Sequence, residues 1–440
     1  MTKTFFDALP TVEFEGPDTD NPFAYRWYDP DRMVLGKRME DHLRPAVCFW
    51  HSFCWDGSDV FGDGTFNRPW HGLEGQEMAE ARLEAAFMFF EKLRIPFFTF
   101  HDVDVMAPAA TMREHVANFA AILDPLEAAM ERSTIKLLWG TANLFSHPRY
   151  MAGAATNPDP EVFACAATQI KLALEATKRL GGANYVLWGG REGYDSLLNT
   201  SFRHELDQLG RMLSLAVEHK HKIGFDGPLL IEPKPHEPCK HQYDRDVQTV
   251  YGFLQRYDLL EDVKVNIETN HATLAGHPMD HEVAMAFALG IFGSIDANRG
   301  DPQNGWDTDQ FWNDPLDITR TMLHLLDNGG MITGGFNFDA KVRRQSIDAE
   351  DLLAGHIGGL DALAHGLLAA ASLIEKGEWK SSLNDRYGAW DGELGQAIMQ
   401  EWSLDDIAKQ VADTALDPKP VSGRQERLEN LICAALSTVR

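Results

Sequence analysis

The chain has 440 residues, 44% of them hydrophobic and 24% charged, a length and composition that exclude a disordered or fibrous protein. Its 66 acidic residues outnumber the 40 basic ones, and the formal net charge of −26 argues against a protein that binds nucleic acid. The five cysteines form no CxxC pair, so we expect neither a zinc ribbon nor a disulfide framework.

The first segment, residues 1–44, contains proline, aspartate and aromatic residues without clear periodicity, and we expect it to form an N-terminal arm. It lacks the basic-then-apolar pattern of a signal peptide. The apolar run 283–293 has 11 residues, too few to span a bilayer. We therefore predict a cytoplasmic protein with no membrane partner.

Eight short apolar runs rich in β-branched and aromatic residues follow, roughly 30–50 residues apart. They are residues 45–53, 95–102, 135–143, 184–190, 227–234, 263–271, 291–298 and 334–341. This spacing leaves room for a helix after each strand, and the continuous apolar character indicates strands that are buried on both faces.

Eight strand–helix units predict an α/β protein with a (β/α)₈ TIM barrel over residues 45–342. An open doubly wound sheet is the alternative, but no GxGxxG motif follows the first run. One helix is easily recognised: Asp159 is a candidate N-cap, Pro160 occupies the first turn and Gly181 can end it.

Residues 343–440 contain the last barrel helix and a helical C-terminal extension. Ser403 and Ser422 are candidate helix caps, with Asp406 and Gln425 three residues later. Because a helical tail cannot form a core alone, we expect this arm to pack on a neighbouring subunit.

Acidic residues stand where four consecutive strands end: Glu232, Glu268, Asp296 and Asp339. His271 ends the sixth run, and Asp307 and Asp309 follow the seventh. A barrel gathers these ends on one face. Each acid alone is more simply a helix cap or an ion-pair partner. Together, six carboxylates need neutralisation, and two divalent cations bridged by Glu268 suit the number. Oxygen ligands with one imidazole favour Mg²⁺, Mn²⁺ or Co²⁺.

Three further residues suggest chemistry at the same face. His101 and Asp104 end the second run, and a carboxylate three residues away can orient an imidazole for proton transfer. Lys234 lies on the same side of its strand as Glu232 and can hold a substrate oxygen. Trp55 and Trp188 follow strands and could stack on a sugar, although core filling explains them equally well.

Several long strings resemble those of xylose isomerase, in its longer, class II form. They are NYVLWGGREGYDSLLNT (184–200), LLIEPKP (229–235), NIETNHATLAGH (266–277), GSIDANRGDPQNGWDTDQF (293–311) and GGFNFDAKVRRQS (334–346). The likeness extends from residue 53 to residue 431. Trp312, where proline is expected, and His236 and Cys239 depart from the family pattern, but none is at a ligand position.

The resemblance implies a homotetrameric isomerase of D-xylose and D-glucose that uses ring opening and a 1,2-hydride shift. One divalent cation is held by the residues matching Glu232, Glu268, Asp296 and Asp339. The second is held by those matching Glu268, His271, Asp307 and Asp309. His101 and Asp104 match the ring-opening pair, and Lys234 matches the lysine at the carbonyl end of the sugar. The substrate wall matches Trp55, Thr141, Phe145 and Trp188, with Phe61 donated by a neighbouring subunit.

Three other functions remain open from the sequence. A related metal-dependent barrel cleaves damaged DNA, but the net charge opposes it. A barrel that only binds or scaffolds would be expected to lack some ligands, and all are present. Another sugar isomerase, for example one acting on rhamnose, is the nearest alternative.

Overall fold

Eight parallel strands close into a barrel, and each strand pairs with the next one in the sequence. The computed structural model describes residues 5–439. The strands are β1 (Ala46–Cys48), β2 (Phe97–His101), β3 (Lys136–Thr141), β4 (Asn184–Trp188), β5 (Leu229–Glu232), β6 (Val263–Glu268), β7 (Phe292–Asp296) and β8 (Phe336–Phe338). Every predicted run contains one of them. The TIM barrel is therefore confirmed, and the open-sheet alternative is wrong.

The first strand is much shorter than its predicted run. Residues 45–53 were expected to be extended, but only Ala46–Cys48 form β1, and Trp50–Cys54 form a turn of π-helix. Phe49 and Phe53 are fully buried, so both remain core residues although the chain has left the sheet. An apolar run alone does not distinguish a strand from a buried helical turn, which is why the boundary was missed.

Helices surround the barrel and continue beyond it. They are α1 (Met39–Leu43), α2 (Gly75–Leu93), α3 (Asp102–Val105), α4 (Met112–Glu131), α5 (Pro160–Arg179), α6 (Phe202–Ile223), α7 (Val247–Arg256), α8 (Thr269–Ala275), α9 (Met279–Ala288), α10 (Pro315–Asp327), α11 (Ala349–Lys376), α12 (Glu378–Tyr387), α13 (Glu393–Gln400), α14 (Leu404–Thr414) and α15 (Gln425–Thr438). Two short antiparallel pairs, Met33–Val34 with Lys37–Arg38 and Gly193–Tyr194 with His241–Gln242, lie outside the barrel.

The helix predicted after residue 159 is α5, and its ends follow the sequence signals. The Asp159 carboxylate accepts the backbone N–H of Glu161, and Pro160 occupies the first turn. Gly181 lies one residue past the C-cap with a φ of +68°, a left-handed conformation that glycine adopts without strain. The face that contains Ala166, Ile170 and Ala173 is buried.

The N-terminal arm packs onto the barrel through α11. The Asp361 carboxylate, which is buried in α11, accepts the backbone N–H groups of Arg26, Trp27 and Tyr28 at 2.8–3.0 Å. The Trp27 ring stacks on His365, with ring centroids 4.0 Å apart. Within the described residues of the arm, several aromatic side chains are therefore part of the core. Residues 1–4 of the predicted arm lie outside the described range.

Among the described residues, Ala349–Lys376 is the one helix long and apolar enough to cross a membrane by length and composition. Its most apolar window is 78% buried inside the fold. That burial matches its place between α10, the N-terminal arm and α15.

The C-terminal extension divides into an exposed part and a packed part. Helix α15 lies on the barrel of its own chain, where Ala435 is buried and the His365 ring contacts the Leu436 carbonyl at 3.1 Å. Helices α12 and α14 have no buried residue. Helix α15 thus packs on its own barrel, and contacts of the C-terminal extension with a neighbouring subunit stay a prediction.

The two predicted caps in this extension have different outcomes. Ser403 forms a capping box with Asp406 at the start of α14, as predicted. Ser422 does not cap α15, because the chain enters that helix through Arg424 in a left-handed conformation. The Ser422 hydroxyl accepts the Arg424 N–H instead, one residue before the expected contact with Gln425.

Replacing Asp361 should detach the arm, because three backbone N–H groups would lose their acceptor. We expect Asp361→Ala to lower the free energy of unfolding by about 3 kcal/mol, in the range measured for buried hydrogen bonds to a charged group. Urea unfolding measures the loss, and limited trypsin digestion at Arg26 reports detachment of the arm. Asp361→Asn keeps one carbonyl oxygen and should lose less. Identical unfolding curves for all three proteins would show that the carboxylate does not anchor the arm.

Candidate active site

Strand register places the predicted residues side by side at the C-terminal mouth of the barrel. Glu268 pairs with Asp296 across β6 and β7, Trp188 pairs with Glu232, and His101 pairs with Thr141. A cavity of about 230 Å³ opens there. It is lined by Trp50, His51, His101, Trp139, Thr141, Phe145, Val186, Trp188, Glu232, Lys234, Glu268, His271, Asp307, Asp309 and Asp339.

The seven predicted metal ligands come together in two overlapping groups. In the first, carboxylate oxygens of Glu232, Glu268, Asp296 and Asp339 lie within 4.8 Å of one another. In the second group, carboxylate oxygens of Glu268, Asp307 and Asp309 also lie within 4.8 Å of one another. His271 Nε2 lies 3.0 Å from an oxygen of Glu268 and 3.0 Å from one of Asp307. Glu268 is shared by both groups, which is the arrangement of a bridging ligand.

Burial makes this charge costly in the absence of cations. Burial and the neighbouring Asp296 raise the pKa of Glu232 well above its usual range. Burial and Asp339 raise the pKa of Asp296 to about 7, and burial with Asp307 raises that of Asp309 to about 6. Part of the cluster therefore holds protons near neutral pH, and a cation would take their place.

Basic neighbours lower the pKa of Asp307, in contrast to the raised pKa values of Glu232, Asp296 and Asp309. Burial disfavours its charged form, but Lys234 and His271 outweigh burial and hold the pKa of Asp307 well below its usual range. For His271, burial is outweighed by the carboxylates of Glu268 and Asp307, which raise its pKa to about 10. The donor set of six carboxylates and one imidazole suits two divalent cations such as Mg²⁺ or Mn²⁺.

Three asparagines hold the carboxylates in place, and the sequence analysis did not identify them. Asn298 donates to Glu268 at 2.6 Å, Asn266 to Glu232 at 3.1 Å and Asn337 to Asp296 at 2.9 Å. Each stands two positions from a strand-end acid in the sequence. Because side chains two apart on a strand share a face, this spacing was the available signal.

The π-helical turn after β1 contributes two further residues whose polar contacts were missed. His51 Nε2 lies 3.0 Å from an Asp339 oxygen and 3.4 Å from an Asp309 oxygen, and Trp50 Nε1 donates to Asp339 at 2.7 Å. Lys341, just beyond β8, contacts Asp309 at 2.6 Å. These residues partly balance the acids, and they were missed because His51 and Trp50 fell inside an expected strand.

His101 and Asp104 form the predicted pair because α3 begins directly after β2. The Asp104 carboxylate lies 3.0 Å from His101 Nδ1 and also accepts the His101 backbone N–H at 2.7 Å. Both contacts fix the carboxylate against the ring. Although burial lowers the pKa of His101, the Asp104 charge outweighs it and raises that pKa above its usual value.

Asp102, which lies between these two residues in the sequence, holds the loop after β3 through buried hydrogen bonds. It accepts the Asn143 backbone N–H at 2.8 Å and the Gln169 side-chain amide at 2.9 Å, and it lies 3.0 Å from His115 Nε2. This buried network was not foreseen, because its members come from four separate segments.

The predicted substrate residues divide into two sets. Thr141, Phe145 and Trp188 line the cavity, and the Lys234 ammonium lies 2.6 Å from Asp307 and 5.2 Å from the centre of the Trp188 ring. Trp55 does not line this cavity and packs edge-to-face on Phe66.

Phe61 is also absent from the cavity lining. It is 79% exposed, and its ring stacks on that of Trp306, whose centroid is 5.9 Å away. An exposed aromatic pair of this kind is available to another molecule, whereas Trp55 is partly covered by its own chain.

Trp312, at the expected proline position, is accommodated in the core. It is fully buried, and its indole N–H donates to Asp317 at 3.1 Å.

The chain is similar to known proteins over nearly its whole length. Xylose isomerases of Novosphingobium aromaticivorans, Paraburkholderia phymatum and Escherichia coli are 63%, 60% and 57% identical to it, over 98% of this chain and 98–99% of theirs. A family model described as the XylA2 C-terminal domain matches residues 383–436. Among solved structures, a putative xylose isomerase from Rhodospirillum rubrum covers 73% of this chain and 98% of its own, with 14% identity and a TM-score of 0.49.

Cation binding to the metal-free protein should release protons at pH 7. Three groups hold protons that a divalent cation displaces: Asp296, with a pKa of about 7, His271, with a pKa of about 10, and Glu232, whose pKa lies well above its usual range. We expect the release of about one proton or more per chain, and affinity should fall as pH falls from 7 to 6. Calorimetric Mn²⁺ titrations in two buffers of different ionisation enthalpy measure the release.

Asp296→Asn is the matched variant, since it removes one titrating carboxyl and keeps its shape. It should release fewer protons than the unmodified chain. Equal heats in both buffers would contradict the protonated cluster.

Proposed function

The chain belongs to the xylose isomerase family, and we propose that it interconverts D-xylose and D-xylulose, and D-glucose and D-fructose, in the cavity at the barrel mouth. The observation that carries the proposal is that six of the seven candidate ligands, His101 and Lys234 line one cavity. The seventh ligand, Asp296, lies within 4.8 Å of Glu232, Glu268 and Asp339, and Asp104 contacts His101. The identity of 57–63% to curated xylose isomerases over 98% of the chain supports the same reaction.

Two divalent cations per subunit, Mg²⁺, Mn²⁺ or Co²⁺, fit the donor set. We assign one to Glu232, Glu268, Asp296 and Asp339 and the other to Glu268, His271, Asp307 and Asp309. When bound, such cations supply Lewis-acid polarisation of sugar oxygens and neutralise the carboxylates. The support for this assignment is the sharing of Glu268 between two groups whose ligand atoms lie within 4.8 Å.

Ring opening is assigned to His101. The cyclic sugar must lose a proton from its anomeric hydroxyl and gain one on the ring oxygen, and a single imidazole can carry out both transfers. Asp104 fixes the ring orientation through Nδ1 and stabilises the imidazolium form. Trp50 and Phe145 pack edge-on against the His101 ring, at centroid distances of 4.5 and 5.5 Å, and restrict its rotation.

Isomerisation of the open sugar is assigned to a hydride shift from C2 to C1. The O2–H proton leaves, the hydride moves to the carbonyl carbon, and O1 gains a proton. Burial lowers the pKa of Lys234, but Asp307 outweighs it, so the ammonium stays charged and can stabilise a sugar oxygen. Trp139, Phe145 and Trp188 line the same cavity and limit the water near the migrating hydrogen.

We further propose that the protein is a cytoplasmic homotetramer in which Phe61 reaches the site of a neighbouring subunit. Phe61 and several apolar side chains of the C-terminal extension are exposed in the single chain, among them Leu404 at 84% and Met399 at 73%. Covering such groups is a common reason for assembly. All five cysteines are free, which suits a reducing compartment.

The reaction is tested by incubating EDTA-treated protein with D-xylose in tritiated water, with and without added Mg²⁺. We expect xylulose only when Mg²⁺ is present, and product with little tritium on carbon, because a hydride shift does not exchange with solvent. Ketose yield and tritium content are measured in the same sample.

The tritium content distinguishes the two routes of hydrogen transfer, and parallel incubations with L-rhamnose and with abasic DNA test the alternative substrates. Tritium at C1 of the product would show that the reaction proceeds through an enediol and not by a hydride shift. Formation of ketose from L-rhamnose, with none from D-xylose, would show that the protein is an isomerase of a different sugar. Cleavage of abasic DNA without ketose formation would support the DNA-cleaving alternative.

His101→Asn should slow turnover of D-xylose by about 10²- to 10⁴-fold, the usual contribution of a general acid–base residue. Glyceraldehyde is too short to close a ring, so its conversion to dihydroxyacetone should be affected much less. Steady-state rates on both substrates, with metal content measured in parallel, check this assignment. An equal loss on both substrates would place His101 in the isomerisation step.

A further inference from the structure

A second group of metal-binding residue types lies outside the cavity, where the N-terminus of α7 meets that of α9. We call it the outer histidine cluster, and it consists of His277, His281, Glu282 and Asp246. Ligand atoms of the first three lie within 4.8 Å of one another. None of the four residues lines the active-site cavity.

The two carboxylates of the cluster are fixed by the same helix end. Glu282 is 2% exposed, and one of its oxygens accepts the Val247 backbone N–H at 2.9 Å. Asp246 is the N-cap of α7, and one of its oxygens accepts the backbone N–H and the hydroxyl of Thr249 at 2.8 and 2.7 Å. Each carboxylate therefore uses one oxygen for the helix and keeps the other available.

The second oxygens point toward the imidazoles. Glu282 Oε1 is buried without a hydrogen-bond partner among residues 5–439, and it lies 3.9 Å from His281 Nε2. Asp246 Oδ2 lies 3.6 Å from His277 Nε2 and 3.8 Å from Arg245 Nε. A buried carboxylate oxygen without a partner is costly, so this position requires a proton, a cation or rearrangement.

The two imidazoles are also arranged for a shared ligand. His277 and His281 are four residues apart, with ring centroids 4.8 Å apart and planes 24° from parallel. Two ligands of a tetrahedral zinc ion, each at 2.0–2.1 Å from the metal, are separated by about 3.4 Å. The His277–Asp246 and His281–Glu282 separations exceed this by a few tenths of an ångström. The His281 side chain is 41% exposed and free to turn inward.

We propose that the outer histidine cluster binds one Zn²⁺ ion through His277, His281 and Glu282. Asp246 Oδ2, 3.6 Å from His277 Nε2, is the carboxylate oxygen available to complete the shell. Two imidazoles with carboxylates favour zinc over Mg²⁺, which prefers an all-oxygen shell. The ion would join the start of α7 to the start of α9 and satisfy the unpaired Glu282 oxygen. This proposal does not depend on the isomerase reaction.

Zinc stoichiometry tests the cluster in the intact chain. Protein is stripped with EDTA, equilibrated with excess Mg²⁺ and titrated with Zn²⁺ against a chromophoric chelator. His281→Ala should bind one equivalent fewer than the unmodified chain, because loss of a ligand weakens such sites by at least about 100-fold. His221→Ala is the matched control: His221 also lies beside an acid, Asp262, at 2.8 Å, but outside the cluster.

The rise in unfolding temperature on adding Zn²⁺ is the second measurement. It should be smaller in His281→Ala than in His221→Ala, since zinc links two helix ends only when the cluster is intact. Equal zinc equivalents and equal temperature shifts in all three proteins would overturn the proposal. Xylulose formation with Mg²⁺ alone uses none of these residues, so it is expected in all three proteins and its failure would be a separate result.

Discussion

The burial of six carboxylates at one end of the barrel is the constraint on which the rest of the site depends. Such a cluster is unstable without compensation, because desolvation and mutual repulsion both favour the neutral acids. The protein supplies part of the compensation itself. Asparagine amides donate to the acids inside the barrel, and Lys234, Lys341, His51 and His271 surround them. The remaining negative charge is what the proposed divalent cations would neutralise.

The barrel holds this arrangement because strand register, rather than loop conformation, sets most of the positions. Glu232, Glu268 and Asp296 are the last residues of three neighbouring strands, and parallel pairing places Glu268 directly beside Asp296. The close-packed surroundings of a TIM barrel leave little freedom for backbone adjustment. Asp307 and Asp309 come from a loop, and they are fixed instead by Lys234 and Lys341. The strand-end carboxylates are thus held by the rigid barrel, whereas the two loop carboxylates are held by lysine side chains.

Acidic and basic groups have different tasks across the same cavity. The carboxylates next to the cation positions have raised pKa values where they are most buried, as for Asp296, whereas Asp307 beside Lys234 stays ionised. On the other side, His101 is paired with Asp104 and enclosed by aromatic rings, so it can exchange protons without direct contact with the acidic cluster. In the reaction that we propose, this division separates proton transfer to the sugar from stabilisation of charge on its oxygens.

The sequence by itself determined the barrel, the strand order and the residues that converge at its mouth, because apolar strands that end in acids are a local pattern repeated at regular spacing. It also indicated the His101–Asp104 pair, since three residues span one turn. Tertiary structure alone decided the π-helical turn that brings Trp50 and His51 to the acids, the Asp102 network and the separation of Trp55 and Phe61 from the cavity lining. These features depend on contacts between segments that are distant in the sequence, and local residue types and spacing do not predict such contacts.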